Sequence, residues 1–198
     1  FFRGNDFALS GPYGKSEDTT AAAQFTVHYP ASECVPQPFI LTWEPGGFCQ
    51  VNLDQNRRLI EAVMRLCSAH GTSSVLDLYC GMGNFSIPLA MTAKSVTGFE
   101  GQGAAIRSAK YNAALAKLNN TRFSKRPIHR ACEELLATDA QFDIVVLDPP
   151  RQGAPGLTKS IGRICRKRLV YISCDPATLC RDLSEFCRPG FTIMYIQP

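Results

Sequence analysis

The chain has 198 residues, 45% of them apolar, with 21 lysines and arginines against 17 aspartates and glutamates and a net charge of +4. That is material for one good core with a small appendage, and the absence of periodic glycine or proline excludes fibrous and low-complexity classes. No apolar run approaches the roughly 18 residues of a membrane span, and the first residues lack the basic-then-apolar order of a secretory leader, so a soluble protein with no membrane partner is expected.

The first fifty residues hold Gly11-Pro12-Tyr13-Gly14, a polar stretch from Lys15 to Thr20, and prolines at 30, 36 and 38. Short apolar pieces predict strands at 25–29 and 39–43, separated by turns. Residues 1–47 thus read as the remnant of a β-rich module, and 48–198 as the main domain. From about Asn56 the pattern becomes regular. A helix at 57–69 sets Leu59, Ile60, Val63, Leu66 and Cys67 on one face. There follow a strand at 74–79, a helix at 84–92, a strand at 95–99 and a long helix at 104–118. A strand within 121–129 and a short helix at 132–138 come next, then a strongly apolar strand at 142–147. The pattern closes with a helix at 157–166, a strand at 169–173, a helix at 176–187 and a last strand at 191–196. Strands alternating with helices predict an α/β fold, a doubly wound and mostly parallel sheet covered on both faces.

Nine cysteines lie at 34, 49, 67, 80, 132, 165, 174, 180 and 187, none in a C-x-x-C pair, so no metal site is expected. Their odd number, with several in apolar segments, points to free thiols in a reducing, cytoplasmic compartment. Basic residues cluster at 122–130 and 163–168. The second cluster reads as a solvated helix end; either would favour nucleic acid only if it lay on the side of an active site.

In doubly wound sheets ligands bind beyond the carboxyl ends of the strands, where strand order reverses. The strand Val75-Leu76-Asp77-Leu78-Tyr79 runs into Cys80-Gly81-Met82-Gly83-Asn84-Phe85, where Gly81 and Gly83 permit a tight turn close to a ligand. The next strand ends at Glu100, a carboxylate placed to take both ribose hydroxyls of a nucleoside. A dinucleotide fold uses the same two devices, but its fingerprint wants Gly or Ala where this chain has Ser86. The run Asp77-Leu78-x-Cys80-Gly81-x-Gly83 tips the choice toward S-adenosyl-L-methionine.

The strand at 142–147 delivers Asp148-Pro149-Pro150-Arg151, with Asp148 emerging into the cofactor crevice. Amino-group methyltransferases follow a related acid-Pro-Pro with an aromatic; Arg151 here argues against that chemistry. The strand at 169–173 then leads to Ser173-Cys174-Asp175-Pro176, where Asp175 is a good helix cap and Pro176 a good first helical residue. Cys174 therefore sits between a strand end and a helix N-terminus, a setting in which a thiol acts as a nucleophile. Sulfur added to C6 of a pyrimidine makes C5 nucleophilic; oxygen or nitrogen methylation needs no cysteine.

Together these residues resemble the RNA (uracil-5-)-methyltransferases, which make 5-methyluridine in rRNA and tRNA. The resemblance runs from Phe48-Cys49-Gln50-Val51-Asn52 through residues 77–85, Glu100, residues 148–151 and residues 173–182. It implies a Rossmann-like class I methyltransferase fold, an RNA substrate, cofactor contacts from Gln50, Tyr79, Asn84, Glu100 and Asp148, and Cys174 as the nucleophile, with Asp148 also facing the target base. The family's polar contact to the adenine falls near Ala131, which offers none, and the four cysteines that hold an iron–sulfur cluster in some members have no counterpart here. The family's proton-abstracting glutamate belongs to a His-x-Glu segment expected beyond Pro198, so a fragment without its general base is expected. Two other readings stay open at this point: a methyltransferase of another target, cytosine C5 or a small molecule, and a non-catalytic RNA-binding module of the same fold.

Overall fold

The computed structural model describes residues 8–10, 24–188 and 190–198. Its first elements are strands β1 (Ala8–Ser10), β2 (Gln24–Tyr29) and β3 (Phe39–Trp43), which form a three-stranded antiparallel sheet. The regular part follows as α1 (Leu53–Cys67), β4 (Ser74–Leu78), α2 (Ser86–Ala90), β5 (Ser95–Glu100) and α3 (Gly103–Leu115). It continues as β6 (Thr121–Lys125), α4 (Ile128–Ala137), β7 (Phe142–Leu147), α5 (Thr158–Ile164), β8 (Cys165–Tyr171) and α6 (Pro176–Cys187).

Strands β4 to β8 form a five-stranded sheet in the order β6-β5-β4-β7-β8, parallel throughout. The order reverses between β4 and β7, so those two strands open the crevice where such sheets bind ligands. Alternation along the strands sends side chains to two cores. Val75, Ile144 and Val146 face one way, onto Ile60, Val63 and Met64 of α1, Ile87 and Leu89 of α2, and Ile106 and Ala109 of α3. Leu76, Leu78, Val145 and Leu147 face the other way, onto Ile128 and Cys132 of α4, Ile161 and Ile164 of α5, and Phe186 of α6. Burial of each such aliphatic side chain stabilises the fold by about 1.5–3 kcal/mol.

The antiparallel sheet adds to the first core. Val27, Tyr29, Phe39, Leu41 and Trp43 pack into it, with Phe25 stacked on Trp43 at 5.6 Å and Tyr29 on Phe39 at 4.8 Å between ring centroids. Arg107 on α3 closes the contact from outside through two 2.8 Å hydrogen bonds to the Glu44 carboxylate.

Three expectations need correction. Residues 165–168 are not helical: they open β8, because Cys165 pairs with Phe142 and Arg168 with Ile144 across the sheet. The helix expected at 132–138 starts earlier, with α4 opening at Ile128, while the strand expected within 121–129 is β6. Residues 191–198 form no strand; among the described residues none pairs with them in a sheet, and Ile193, Met194, Tyr195 and Ile196 are exposed, while Phe191 packs edge-on against Phe186.

Candidate active site

The β4–α2 connection is a strained turn. Tyr79 adopts φ +66°, Gly81 +53° and Gly83 +92°, and the amides of Tyr79 and Cys80 both donate to Phe99 O, at 3.0 and 3.1 Å. A left-handed non-glycine residue such as Tyr79 persists only where its surroundings hold it. At Gly83 a side chain would also press on Ile87, with Cγ1 3.0 Å from the added carbon, so this glycine lets α2 sit close against the loop. Asp77, fully buried beneath the turn, accepts a 2.5 Å hydrogen bond from Ser86 Oγ, and burial pushes its carboxyl up to about 7. Ser86, out of place in a dinucleotide fingerprint, thus staples the first turn of α2 to β4.

Glu100 ends β5 beside this turn. Its Oε2 accepts from Gly81 N at 3.3 Å and its Oε1 from Gln102 N at 2.9 Å, which fixes the carboxylate at the rim of a cavity of about 290 Å³. Tyr79, Gly101, Pro127, Ile128 and His129 line the rest of that wall. A fixed carboxylate facing the apolar Pro127–Ile128 side suits a nucleoside: hydroxyls on the acid, a base against Pro127 and Ile128. Ala131 is fully buried inside α4, so the chain meets this region through Pro127, Ile128 and His129 instead.

Asp148 leaves β7 next to the same turn; its amide donates to Leu78 O at 3.4 Å, across the strand-order reversal. Burial pushes its carboxyl up to about 7. The loop after it is clamped to α6. Thr178 Oγ1 donates to Arg151 O (3.0 Å), Arg181 Nη2 to Gln152 O (2.8 Å), and Ala154 N to Asp182 Oδ2 (2.7 Å). Asp182, 1% exposed, also accepts from the Tyr171 hydroxyl at 2.6 Å and pairs with Arg181 at 2.7 Å. Burial alone would raise its carboxyl, yet these partners hold it below the usual range. Gly153 at φ +74° leaves no room for a side chain against Asp182 and Arg181.

Cys174 lies on the other end of this clamp. Ser173 Oγ donates to Asp175 O (3.0 Å) and accepts from Asp175 N (3.2 Å), a local turn that sets Cys174 just ahead of α6, whose cap Asp175 accepts from Thr178 N at 2.9 Å. Cys174 is exposed, unlike Cys67, Cys80 and Cys132, which are buried and whose thiols burial pushes up, to about 12 for Cys67 and about 11 for Cys132. The carboxyl edge of the sheet therefore gathers Tyr79, Gly81, Gly83, Asn84, Glu100, Asp148 and Cys174. Gln50, half-buried, lies in the segment between β3 and α1.

The residues missed from sequence are those that hold the site: Asp182, Arg181 and Thr178 in the α6 clamp, and Asn56, which exchanges two amide hydrogen bonds with Asn84 at 2.8 and 3.0 Å. The 163–168 cluster lies at the opposite, amino edge, where Arg168 Nη1 donates to Leu66 O and Cys67 O at 2.8 Å and caps the carbonyl end of α1. The 122–130 cluster runs along edge strand β6 and out at the site's own edge. Among the described residues no group of three or more His, Cys, Asp or Glu is arranged for a metal, and no helix is long and apolar enough to cross a membrane.

Comparison with known proteins places these features in context. Residues 36–190 match the family model described as tRNA (Uracil-5-)-methyltransferase. The 23S rRNA (uracil(1939)-C(5))-methyltransferase RlmD of Vibrio vulnificus is 37% identical over 78% of this chain and 35% of its own length. The RlmD of Photobacterium angustum is 39% identical over 77% of this chain and 70% of its own length. The chain thus spans about a third of the first of these relatives. Among solved structures, the Pyrococcus abyssi tRNA (uracil-54, C5)-methyltransferase in complex with S-adenosyl-L-homocysteine superposes with a TM-score of 0.63 and 27% identity, over 82% of this chain and 38% of that one. A putative SAM-dependent methyltransferase from Streptococcus mutans, at 16% identity, shares the fold with a TM-score of 0.66, over 81% of this chain and 46% of that one.

Proposed function

Because the chain belongs to the tRNA (uracil-5-)-methyltransferase family, we propose that it is the catalytic part of an S-adenosylmethionine-dependent enzyme that methylates C5 of a uridine in RNA. The observation that carries this reading is the exposed Cys174 clamped through α6 to the Asp148 loop, beside a turn and carboxylate suited to a nucleoside. Gly81, Gly83, Asn84, Glu100 and Tyr79 would hold the cofactor, together with Gln50 and Asp148; bound there, S-adenosylmethionine would supply an electrophilic methyl group for C5.

Cys174 adds through Sγ to C6 of the uracil, which moves electron density to C5 and the O4 carbonyl. Asp148, with its carboxyl near 7, is protonated in part of the molecules at neutral pH and in that form donates a hydrogen bond to the base. After methylation a base removes the C5 proton, the C5–C6 double bond re-forms and the Cys174–C6 bond breaks, releasing Cys174 as the thiolate. By the family resemblance, the glutamate of a His-x-Glu segment would serve as that base. Relatives named for 23S rRNA favour ribosomal over transfer RNA as the substrate. Residues 101–132 contain seven lysines and arginines and no aspartate or glutamate, which suits a polyanion at that flank.

The test is trapping on RNA containing 5-fluorouridine. Fluorine cannot leave as the proton does, so a covalent protein–RNA species is expected with the wild-type chain plus S-adenosylmethionine, and none with Cys174→Ala or without cofactor. Equal trapping by both proteins removes Cys174 from the mechanism, and no trapping by the wild type removes the uracil reading.

A further inference from the structure

Two buried asparagines join the N-terminal strands to the β4–α2 turn. Asn56, on α1 and 2% exposed, donates through Nδ2 to the Tyr29 hydroxyl on β2 at 2.7 Å and to Asn84 Oδ1 at 2.8 Å, and its Oδ1 accepts from Asn84 Nδ2 at 3.0 Å. Asn112, on α3 and fully buried, has all its hydrogen-bonding positions filled. Its Oδ1 accepts from Thr42 N (2.9 Å) and Thr42 Oγ1 (3.0 Å) on β3, and its Nδ2 donates to Thr42 O and to Met82 O, both at 3.0 Å.

None of these partners lies on the asparagine's own helix. Space alone in an apolar core is filled better by leucine, and a buried amide is tolerated only when every polar atom is matched. Each amide therefore serves the two pieces it joins. The turn it joins needs such anchors: Gly81 and Gly83, at positive φ, offer little conformational resistance of their own. Met82 sits between the two glycines and is held by its carbonyl from Asn112; Asn84 follows them and is held at both ends of its amide by Asn56. That leaves Asn84 one N–H and one lone pair for a ligand, and their direction is set by Asn56, which Tyr29 steadies in turn.

We infer that Asn56 and Asn112 are positioning residues through which the β2–β3 hairpin sets the conformation of the cofactor turn, so that the seating of the N-terminal sheet and cofactor affinity are coupled. This rests on the reading of that turn as the S-adenosylmethionine site. A displacement of Tyr29 or Thr42 loosens the turn on both sides of Gly83; a bound cofactor, by reciprocity, tightens the hairpin.

A double-mutant cycle tests the coupling, with S-adenosylhomocysteine titrated by calorimetry into wild type, Tyr29→Phe, Asn84→Ala and the double variant. Tyr29→Phe removes one hydroxyl on the hairpin and keeps the ring stacked on Phe39. It is expected to weaken binding about three- to tenfold, and to weaken it less than about twofold when Asn84 is already alanine. Hydrogen exchange at residues 80–84 of the ligand-free protein is expected to quicken in Tyr29→Phe and in Asn112→Asp, which keeps the acceptor for Thr42 N and Oγ1 and loses the donor to Thr42 O and Met82 O. A lowered melting temperature with unchanged affinity and exchange in both variants is the outcome of a merely structural role and overturns the inference, as do additive losses in the cycle. Failure of the wild-type chain to bind S-adenosylhomocysteine refutes the cofactor reading itself.

Discussion

Replacing Asp77 by asparagine is expected to stabilise the protein at alkaline pH while changing little in acid. Asp77 is fully buried, its Oδ2 taken by Ser86 and its Oδ1 without a partner. Burial is the main reason its carboxyl is pushed from 3.8 up to about 7; the Ser86 hydrogen bond opposes the shift, and the charges of Asp148 and Glu100 add to it. A carboxyl raised in the fold contributes its full stability below the unfolded value of 3.8 and loses it as pH rises through 7. At about 1.4 kcal/mol per pH step, this one group costs the wild type on the order of 3 kcal/mol between pH 5 and pH 8. Asparagine matches the protonated acid in shape, takes the Ser86 hydroxyl on its carbonyl oxygen and cannot ionise, so Asp77→Asn escapes that loss. Urea unfolding of both proteins at pH 5, 6, 7 and 8 measures the difference. Parallel pH dependence in the two refutes the picture of Asp77 as a carboxyl buried without compensation.

Three further outcomes follow from the site. Glu100→Ala removes the carboxylate held by the Gly81 and Gln102 amides and is expected to weaken S-adenosylhomocysteine binding by about 1.5–3 kcal/mol, read by calorimetry. Asp182→Ala leaves the Arg181 guanidinium, the Tyr171 hydroxyl and the Ala154 amide without their shared partner; a loss of about 3–5 kcal/mol in urea unfolding is expected, against about 1 kcal/mol for Tyr171→Phe. Arg168→Met frees two carbonyls at the end of α1 and is expected to cost about 1–2 kcal/mol of stability with cofactor affinity unchanged, since it acts at the far edge of the sheet.

What was legible in the sequence depended on how local each signal is. The apolar runs of β4 and β7 announce central strands because both their faces are buried, and the carboxyl-edge residues follow from where those strands stop. Glycines at 81 and 83, the acid at 100 and the Ser173–Pro176 segment are punctuation readable within a few residues. Residues 165–168 were opaque because Cys165 followed by three consecutive basic residues carries no periodicity and suits either a helix end or a strand start, and pairing with β7 decides the matter. The amides of Asn56 and Asn112 find their partners 27 to 70 residues away, and Asp182 meets Ala154 28 residues back, so no local spacing marks them. Asn112 is a polar residue within a helix, yet it is fully buried beneath β3, which no local pattern announces.

Tandem mass spectrometry of the peptides from the fluorouridine-trapped species locates the sulfur that attacks the base. Cys180 and Cys187 on α6 are also exposed and stand as internal controls for adventitious alkylation. A methylated fluorouridine nucleotide attached to Cys174 and to no other cysteine is the expected result; attachment at any of the other eight, with Cys174 unmodified, contradicts a nucleophile at the carboxyl edge of the sheet.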